Sequence, residues 1–333
     1  MISTVSNANQ IRWGIIGTGR IAHAFANALS GCEGAVTYAV ASRTGQKADD
    51  FAKKFGFQKS YGSYAELARD PNVDVVYIAT PMSAHYHDAK LCLDNRKNVL
   101  CEKSVTLNVS QLEELLGIAQ KNDLFFMEAM WMKCCPVYCK AMEWAQSHRI
   151  GEICHIKASF CNLVPYNGDD RLFRADCGGG ALLDLAVYPL TLVYDLLGIP
   201  EHIETHAHIR NGIDLSNTIL LQSENAFAFV DSGFEYSSRN NAAISGSDGI
   251  ILFDDNFHHT NEVHLYNRAG KLIETYTAED RINGYEYEIQ EVMYCLRNRL
   301  PESRIVQCES TIAVMRMMDE CRRQWNMKFP EEK

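Results

Sequence analysis

The chain has 333 residues, of which 47% are hydrophobic and 22% charged, so it is long enough to bury sizeable cores; its length predicts two domains of roughly 100–200 residues each. A formal net charge of −10, without a basic run to neutralise phosphates, argues against a nucleic-acid-binding surface. No apolar stretch approaches the ~20 residues of a membrane-spanning helix. The N-terminal stretch Met1–Gln10 is polar and lacks a signal-peptide core, so we expect a cytoplasmic protein with no membrane partner.

The first predicted element is an apolar strand from Trp13 that closes on a glycine-rich loop and opens into a helix over Arg20–Leu29. Gly17 lets the strand turn tightly into the helix, and Gly19 has no side chain to keep a phosphate away from the N–H groups at the helix start. Ala22 replaces the third glycine of the usual fingerprint. A short loop of this kind can also be only a tight turn. The pattern predicts a nucleotide pyrophosphate site formed by Gly17, Thr18, Gly19, Arg20 and Ile21.

Strands and helices then alternate for about a hundred residues, as is typical of a parallel sheet buried between helical layers. We therefore predict an α/β Rossmann domain, a doubly wound parallel sheet, over residues 1–128. The predicted strands are Ala35–Ser42, Val73–Ala79, Asn98–Cys101 and Leu124–Met127, and the predicted helices are Gln46–Phe55, Ser83–Asn95 and Ser110–Lys121.

The end of the second strand indicates which nicotinamide cofactor is bound. NAD-binding domains usually place Asp or Glu there to bind the ribose 2′-OH, whereas NADP-binding domains need positive charge for a 2′-phosphate. This chain has Ser42 and Arg43 there, with Lys47 one helical turn further on. A guanidinium can pair with the phosphate and stack on adenine. The pattern favours NADP; if Arg43 is only a solvated loop residue, NAD remains the alternative.

After Met130 the periodicity changes to successive short strands with turns between them, which indicates a mostly antiparallel sheet in a second, α+β domain over residues 129–333. Two C-terminal helices carry methionine-rich apolar stripes that are expected in a core. The predicted strands are Ile153–Phe160, His202–Ile209, Thr218–Gln222, Ala226–Ser232, Ala242–Ser245 and Val263–Tyr266, and the helices are Tyr285–Arg299 and Glu309–Trp325.

The 12 cysteines lie inside helix and strand patterns without paired CxxC spacings, so most are expected to be reduced core residues. The group Cys134, Cys135 and Cys139 suggests a metal cluster at first sight, but adjacent cysteines give poor chelate geometry. The pair His258 and His259 lacks partners at chelating spacing. We expect no metal.

Several motifs resemble one family. Thr80-Pro81 followed by His85, and Glu102-Lys103 at the end of a strand, resemble the TPxxxH and EKP signatures of the Gfo/Idh/MocA oxidoreductases. The resemblance covers roughly residues 11–188. It extends to the branch that contains dimeric dihydrodiol dehydrogenase and NADP-dependent D-xylose dehydrogenase, through the stretches Glu128–Trp131, Gly151–Ile153 and Gly178–Pro189. The resemblance implies that Thr80, Pro81, His85, Glu102 and Lys103 contact the cofactor.

The resemblance also implies a catalytic set. Lys103 matches the lysine that in relatives reaches the nicotinamide ribose and the substrate hydroxyl, and Tyr188 matches the acid/base tyrosine of this branch. Asp184 lies four residues before Tyr188, so a helix there would place both side chains on one face. Tyrosine, with a free pKa of ~10, is a poor base at neutral pH, and a nearby lysine ammonium would favour its phenolate.

One position departs from the pattern. The family's proline after the lysine is Ser104 here. A cis peptide before a residue other than proline costs about 2.5–4 kcal/mol, so the Lys103–Ser104 peptide is expected to be trans or strained, and the placement of Lys103 is less well determined.

The resemblance also indicates residues around the substrate. Trp131 and Phe160 match aromatic positions near the pocket of dihydrodiol dehydrogenase-like relatives, and an aromatic wall suits an aromatic diol or the apolar face of a pyranose. Arg171 and Arg174 could bind a substrate oxygen, close over the cofactor or remain solvated. The resemblance further implies a homodimer formed through the C-terminal sheet.

Two function classes follow. The first is an NADP-dependent dehydrogenase or reductase that moves hydride between nicotinamide and a small sugar, sugar derivative or trans-dihydrodiol, with Tyr188 as acid/base assisted by Lys103. The second is a catalytically silent nucleotide-binding regulator of the same fold, with which Ser104 would be compatible. Retention of Lys103, Asp184 and Tyr188 favours the enzyme.

Overall fold

The computed structural model describes residues 10–279 and 281–332, which fall into two packing units. Within the described residues the first unit comprises 10–106, 110–131 and 281–308, and the second comprises 107–109, 132–279 and 309–332. These units are discontinuous, unlike the predicted domains 1–128 and 129–333. Residues 281–308 pack with the first unit, where Asn283 donates a hydrogen bond to the carbonyl oxygen of Ala24 at 2.9 Å. Of the predicted polar stretch Met1–Gln10, only Gln10 lies within the described residues.

The first unit contains one parallel sheet with helices between its strands. Its strands are β1 (Ile11–Ile16), β2 (Ala35–Ala41), β3 (Lys59–Tyr61), β4 (Val75–Ile78), β5 (Asn98–Glu102) and β6 (Phe126–Ala129), and its helices are α1 (Arg20–Gly31), α2 (Gly45–Phe55), α3 (Tyr64–Arg69), α4 (Met82–Asp94), α5 (Val109–Lys121), which begins in the second unit, and α8 (Tyr285–Arg297).

The strand order of this sheet is β3-β2-β1-β4-β5-β6, and every pair is parallel. This is the doubly wound order in which the chain reverses direction across the sheet between β1 and β4. All four residues of β4 are buried, as expected for a strand covered by helices on both faces. The predicted Rossmann architecture is confirmed.

Aromatic packing fixes α1 against the sheet. Phe25 of α1 stacks on Tyr77 of β4 with ring centroids 3.6 Å apart, and it contacts Trp13 of β1 at 5.5 Å. All three side chains are fully buried. Because α1 is held against β1 and β4 in this way, its first turn faces the point where those two strands end.

The second unit contains the other sheet and three long helices. Its strands are β7 (Ile153–Cys161), β8 (His202–Arg210), β9 (Ile213–Gln222), β10 (Phe227–Gly233), β11 (Ala242–Gly246), β12 (Gly249–Phe253), β13 (Glu262–Asn267) and β14 (Leu272–Thr277), and its helices are α6 (Pro136–Gln146), α7 (Val187–Leu197), preceded by a π-helical turn over Leu182–Ala186, and α9 (Cys308–Gln324), whose first residue belongs to the first unit.

The eight-stranded sheet has the order β14-β13-β12-β11-β7-β10-β9-β8 and is antiparallel except for the parallel pair β7 and β10. This confirms the predicted mostly antiparallel sheet. One face is buried, as Val230 shows, whereas the other is open, as Phe227 at 48% exposed shows; Tyr236, in the loop after β10, is 41% exposed. Phe234 is instead a core residue at 2%. The aromatic residues around β10 therefore divide between core and surface.

Some elements carry little sequence signal and are not predicted by the pattern. The strand β3 is only three residues long, and β14 has no fully buried residue, so neither shows a hydrophobic period. The other helices and strands outside the prediction are α3, α6, α7 and β12; for α7, a helix is considered only as a condition over Asp184–Tyr188.

The prediction that no apolar stretch approaches membrane-spanning length needs a correction. Within the described residues, the helical segment Ala175–Leu197 is long and apolar enough to cross a membrane by length and composition alone. However, 72% of its apolar window is buried inside the protein, and the core helix of a soluble protein passes the same test. The segment is apolar because it packs beneath the second sheet.

Candidate active site

The glycine-rich loop lies where three parallel strands end. Gly17 donates its N–H to the carbonyl oxygen of Ala41 at 3.0 Å, and Ala79 donates to Ile16 at 2.8 Å, so β1, β2 and β4 hold the loop together. Gly17 has φ +98°, and a Cβ there would lie 2.7 Å from the carbonyl oxygen of Ala79, so only glycine fits. The predicted tight turn is confirmed.

The start of α1 is open. Gly19 precedes the first helical residue in an extended conformation, and a Cβ built on it would meet nothing within 4 Å. Gly19 and Arg20 are exposed, and Thr18 and Ile21 are half-buried. The first N–H groups of a helix have no partner within the helix, so this end offers donors and positive dipole to an anion. The geometry fits a pyrophosphate.

The end of β2 presents positive charge. Ser42 is buried and donates its N–H to the carbonyl oxygen of Tyr61 at 3.2 Å, which fixes the chain at this point. The next residue, Arg43, is exposed, as is Lys47 in the first turn of α2. Both cations therefore lie beside the site at which an adenine ribose is bound in this fold.

The predicted Thr80-Pro81 segment forms the start of α4. Pro81 is exposed and occupies the position before the first helical residue, while Thr80 donates its hydroxyl to Asp88 Oδ2 at 2.7 Å. Burial raises the pKa of Asp88, and the Thr80 hydrogen bond and the charge of Arg43 oppose that shift. The positive charge of Arg43 therefore acts on Asp88 over a distance, and these two described residues form no ion pair.

His85 connects two segments predicted to contact the cofactor. It is 2% exposed, and its ring nitrogens lie 3.0 Å from the carbonyl oxygen of Ser104 and 2.9 Å from that of Thr80. A carbonyl oxygen only accepts hydrogen bonds, so both contacts are satisfied together when both ring nitrogens carry protons. His85 lies in the first turn of α4, as predicted, and its ring contacts the backbone at both Thr80 and Ser104.

The peptide bond between Lys103 and Ser104 is cis, so the trans alternative raised by the missing proline does not hold. Ser104 is fully buried, whereas Lys103 is half-buried. Glu102 is also buried; it accepts hydrogen bonds from the Tyr77 hydroxyl and, at 3.2 Å, from the backbone N–H of Lys103. Hydrogen bonds therefore hold the backbone at Lys103, through its own N–H to Glu102, and after it, through the Ser104 carbonyl oxygen to His85.

A second buried carboxyl group lies near Glu102. Glu288 of α8 is fully buried, and neither of its side-chain oxygens has a hydrogen-bond partner among the described residues. Burial, followed by the negative charge of Glu102, raises the pKa of Glu288 well above its usual range. Both effects favour the neutral form of the Glu288 side chain.

In the second unit, Asp184 and Tyr188 lie on one continuous helical segment. Asp184 falls within the π-helical turn, and Tyr188 is the second residue of α7. The prediction that both side chains share one face requires this stretch to be helical, and it is. Tyr188 is 6% exposed, and Asp184 pairs with Arg171 at 3.6 Å.

Two aromatic rings flank Tyr188. Phe160 of β7 lies 5.5 Å from the Tyr188 ring, and His258 lies 5.3 Å from it. His258 also stacks on Phe160 with ring centroids 4.1 Å apart and an interplanar angle of 20°. The structure therefore brings both Phe160 and His258 beside Tyr188, and the sequence pattern does not connect His258 with either residue.

The remaining predicted substrate residues, Arg174 and Trp131, have these contacts within their own units. Arg174 forms an ion pair with Asp176, and its side chain is 45% exposed. Trp131 belongs to the first unit, is 5% exposed and packs against Tyr285 with ring centroids 5.0 Å apart. Lys103 also belongs to the first unit and Tyr188 to the second, so their approach to each other remains a prediction.

The comparisons with known proteins agree with this architecture. Residues 11–130 match the Gfo/Idh/MocA oxidoreductase family with an NAD-binding Rossmann fold, and residues 138–252 match the Gfo/Idh/MocA C-terminal domain.

Similar proteins match over nearly their whole length. The trans-1,2-dihydrobenzene-1,2-diol dehydrogenase of Xenopus tropicalis is 32% identical over 330 residues, which cover 96% of this chain and 99% of that protein. The D-xylose 1-dehydrogenase (NADP(+)) of Hypocrea jecorina is 31% identical, with 98% and 94% covered. A solved 3-ketoreductase from Actinomadura kijaniata, in complex with NADP and TDP-benzene, has a TM-score of 0.84 at 26% identity, with 95% and 98% covered. With both family domains matched, the chain belongs to the Gfo/Idh/MocA oxidoreductase family.

Proposed function

We propose that this protein is an NADP-dependent dehydrogenase or reductase that acts on a CH–OH group of a sugar, a sugar derivative or a trans-dihydrodiol. The observation that carries the proposal is the environment of Tyr188. Its ring lies within 5.5 Å of Phe160 and of His258, on a helical segment that also carries Asp184. Relatives named as dehydrogenases of a dihydrodiol and of D-xylose support a substrate of this class.

The first unit has features suited to the pyrophosphate and the 2′-phosphate of NADP. Gly17 allows the tight turn at the ends of three strands, and Gly19 leaves open space at the start of α1 for a pyrophosphate. Arg43 and Lys47 are exposed cations positioned for a 2′-phosphate, and the relative from Hypocrea jecorina is named as NADP-dependent. We place Ser42, Thr80 and the other predicted contacts along the same edge of the sheet.

The proposed chemistry separates hydride from proton. Bound nicotinamide supplies the hydride acceptor for oxidation or the donor for reduction. In oxidation Tyr188, as phenolate, takes the proton of the substrate hydroxyl; in reduction its phenol donates that proton to the carbonyl oxygen. Lys103, as an ammonium, stabilises the phenolate and binds the same substrate oxygen. Asp184 orients the substrate or Lys103 by hydrogen bonding.

The proposed substrate pocket is aromatic. The stacked rings of Phe160 and His258 present a flat apolar surface suited to the apolar face of a pyranose or to a diol ring. Trp131 and Arg174 stay proposed substrate contacts, with Arg174 required to exchange its partner Asp176 for a substrate oxygen.

A turnover panel tests the proposal. The purified protein is mixed with NADP or NAD and a set of aldoses, inositols and trans-dihydrodiols, and with NADPH or NADH and the corresponding ketones, while absorbance of the reduced nicotinamide is followed. Turnover with one substrate class supports the proposal. NADP binding without turnover in either direction contradicts it and favours the nucleotide-binding regulator.

We further propose a cytoplasmic homodimer formed through the open face of the second sheet. Along that face Leu220 pairs with Phe229, and Phe229 pairs with Lys157 of the adjacent strand, so the residues form a continuous cross-strand row. Leu220 is 40% exposed and Phe227, on the same face, is 48% exposed. Exposed apolar side chains grouped on one face of a sheet, as Leu220 and Phe227 are, are typical of a protein interface.

A further inference from the structure

The helical segment that carries Asp184 and Tyr188 begins against a buried carboxylate. Asp214, the second residue of β9, is 1% exposed. Its Oδ2 accepts a hydrogen bond from the backbone N–H of Leu182 at 2.7 Å and another from Asn217 Nδ2 at 2.8 Å. Its Oδ1 has no hydrogen-bond partner among the described residues. A sheet residue therefore caps the first turn of the segment.

The glycine run before this segment makes the approach sterically feasible. Gly180 has φ +119°, and a Cβ built on it would lie 2.4 Å from Asp214 Oδ1. A Cβ on Gly179 would lie 2.6 Å from the carbonyl oxygen of Leu172 and 2.7 Å from that of Arg171. Glycine at both positions is what lets the chain pass between Asp214 and the preceding turn.

A second polar side chain of the same sheet holds the same turn. Ser232 of β10 is fully buried, and its hydroxyl lies 3.0 Å from Asn217 Oδ1 and 3.4 Å from the carbonyl oxygen of Ala181. Asn217 is 3% exposed. Buried polar groups are unfavourable unless they are hydrogen-bonded, and these three bond to one another and to the first two residues of the helical segment. The network fixes where that segment starts.

The ionised form of Asp214 holds this turn more strongly than the neutral form. A carboxylate at a helix N-terminus interacts favourably with the helix dipole, and hydrogen bonds to a charged acceptor are roughly twice as strong as neutral ones. Burial raises the pKa of Asp214 to about 7, partly opposed by its hydrogen bonds. The titratable group that faces it from α9 is the thiol of Cys321, whose pKa burial raises to about 12, so that thiol stays neutral.

We propose that Asp214 is a positioning residue that sets the orientation of Asp184 and Tyr188 through its negative charge, and that its protonation loosens the start of their helical segment. The proposal rests on the proposed function only for its effect on turnover. Its effect on the helix start is independent of catalysis.

The first test needs no substrate. Protection of the backbone amides of residues 181–188 against hydrogen exchange, corrected for intrinsic rates, is measured between pH 5.5 and 9 in the wild type, Asp214→Asn and Asp248→Asn. Asp248 is exposed, so its variant is a control for loss of one negative charge. We expect wild-type protection to fall about tenfold as pH is lowered through 7, Asp214→Asn to show low protection throughout, and Asp248→Asn to match the wild type.

Infrared spectroscopy tests the proton itself. The C=O stretching band of a protonated carboxyl group should appear in the wild type as pH falls through 7 and should be missing in Asp214→Asn. No such titration in the wild type would overturn the proposal, and this measurement remains decisive even if the variant does not fold.

The kinetic test uses whichever sugar or diol turns over in the panel. We expect Asp214→Asn to lower kcat about tenfold at pH 8, to lose the inflection near pH 7 and to leave the NADP Kd within about twofold. An unchanged pH profile in that variant refutes the positioning role. If exchange and infrared data behave as expected but no substrate turns over, the proposed function fails and the hold of Asp214 on the helix start stands.

Discussion

Arg43 is the residue on which the preference for NADP depends, and Arg43→Ala isolates its contribution. It follows directly after the buried Ser42 at the end of β2, and its side chain is exposed. The adjacent acidic residues of α2 do not replace it: Asp49 accepts from Ser60, and Asp50 accepts from Gln46. The substitution therefore removes positive charge without exposing a ready ligand for a ribose 2′-OH.

The expected magnitude follows from two separable interactions. Stacking of the guanidinium on adenine is available to both cofactors, and its loss at an exposed site costs about 0.5–1 kcal/mol, which is roughly a two- to fivefold increase in either Kd. Charge-assisted hydrogen bonds to the 2′-phosphate are available only in NADP and contribute about 1.5–3 kcal/mol. We expect the ratio of the NADP Kd to the NAD Kd to rise about 10- to 100-fold, since Lys47 retains part of the attraction.

The assay is calorimetric titration of the wild type and of Arg43→Ala with NADP and with NAD. Arg69→Ala is the matched control. Arg69 is also an exposed arginine, but it ends α3, and the chain from there enters the amino-terminal end of β4, whereas Arg43 follows the carboxyl end of β2. The phosphate contribution should also shrink as salt is raised. Equal increases in Kd for the two cofactors, or tighter binding of NAD than of NADP by the wild type, would refute the reasoning.

Three further predictions concern the second unit. Tyr188→Phe should lower kcat by about 10²–10⁴-fold in steady-state assays and leave the NADP Kd within about twofold, because only the proton-transfer group is lost; retained turnover would exclude the acid/base role. Lys133→Met should lower the free energy of unfolding by about 3–5 kcal/mol in denaturant titrations, because Asp195, 2.7 Å from the lysine and 13% exposed in its side chain, is left as a buried charge. Adding Asp195→Leu should restore most of that loss, and a double variant no more stable than the single one would contradict this. Phe227→Glu should reduce the mass measured by light scattering from twice the 37.6 kDa chain to once that value, whereas Ile199→Lys, on an exposed residue outside the sheet, should not; a wild-type monomer would end the dimer proposal.

The sequence predicts the fold well where a few adjacent residues determine the local structure. Tight turning at Gly17 and complete burial of β4 follow from steric and hydrophobic patterns that a few adjacent residues specify. The placement of His258 beside Tyr188 carries no such signal, because the two residues are 70 positions apart in the sequence and meet only through the sheet. The structure, not the pattern, reveals that His258 lies beside Tyr188.

The sequence pattern does not identify the buried polar residues of the second sheet either. In β9 the consecutive residues Ile213, Asp214 and Leu215 are all buried, which breaks the alternation expected of a strand with one solvated face. This is the weak signal that could have pointed to Asp214. The segment 281–308 shows the same limit, because helical periodicity in α8 identifies an apolar face but not which unit that face packs against.

At Ser104, hydrogen bonds to residues distant in the sequence restrain the backbone where the family has a proline. A proline limits the backbone by its ring, whereas here the backbone after Lys103 is held by a hydrogen bond between the Ser104 carbonyl oxygen and His85, and Glu102 accepts the N–H of Lys103. Ser104 is fully buried and His85 nearly so, which excludes competing water. The same logic operates at Asp214, where buried polar side chains hold the backbone that leads to Tyr188. In each unit a buried hydrogen bond to the main chain restrains the segment that carries a proposed catalytic side chain, so loss of the motif proline does not by itself argue for the silent regulator.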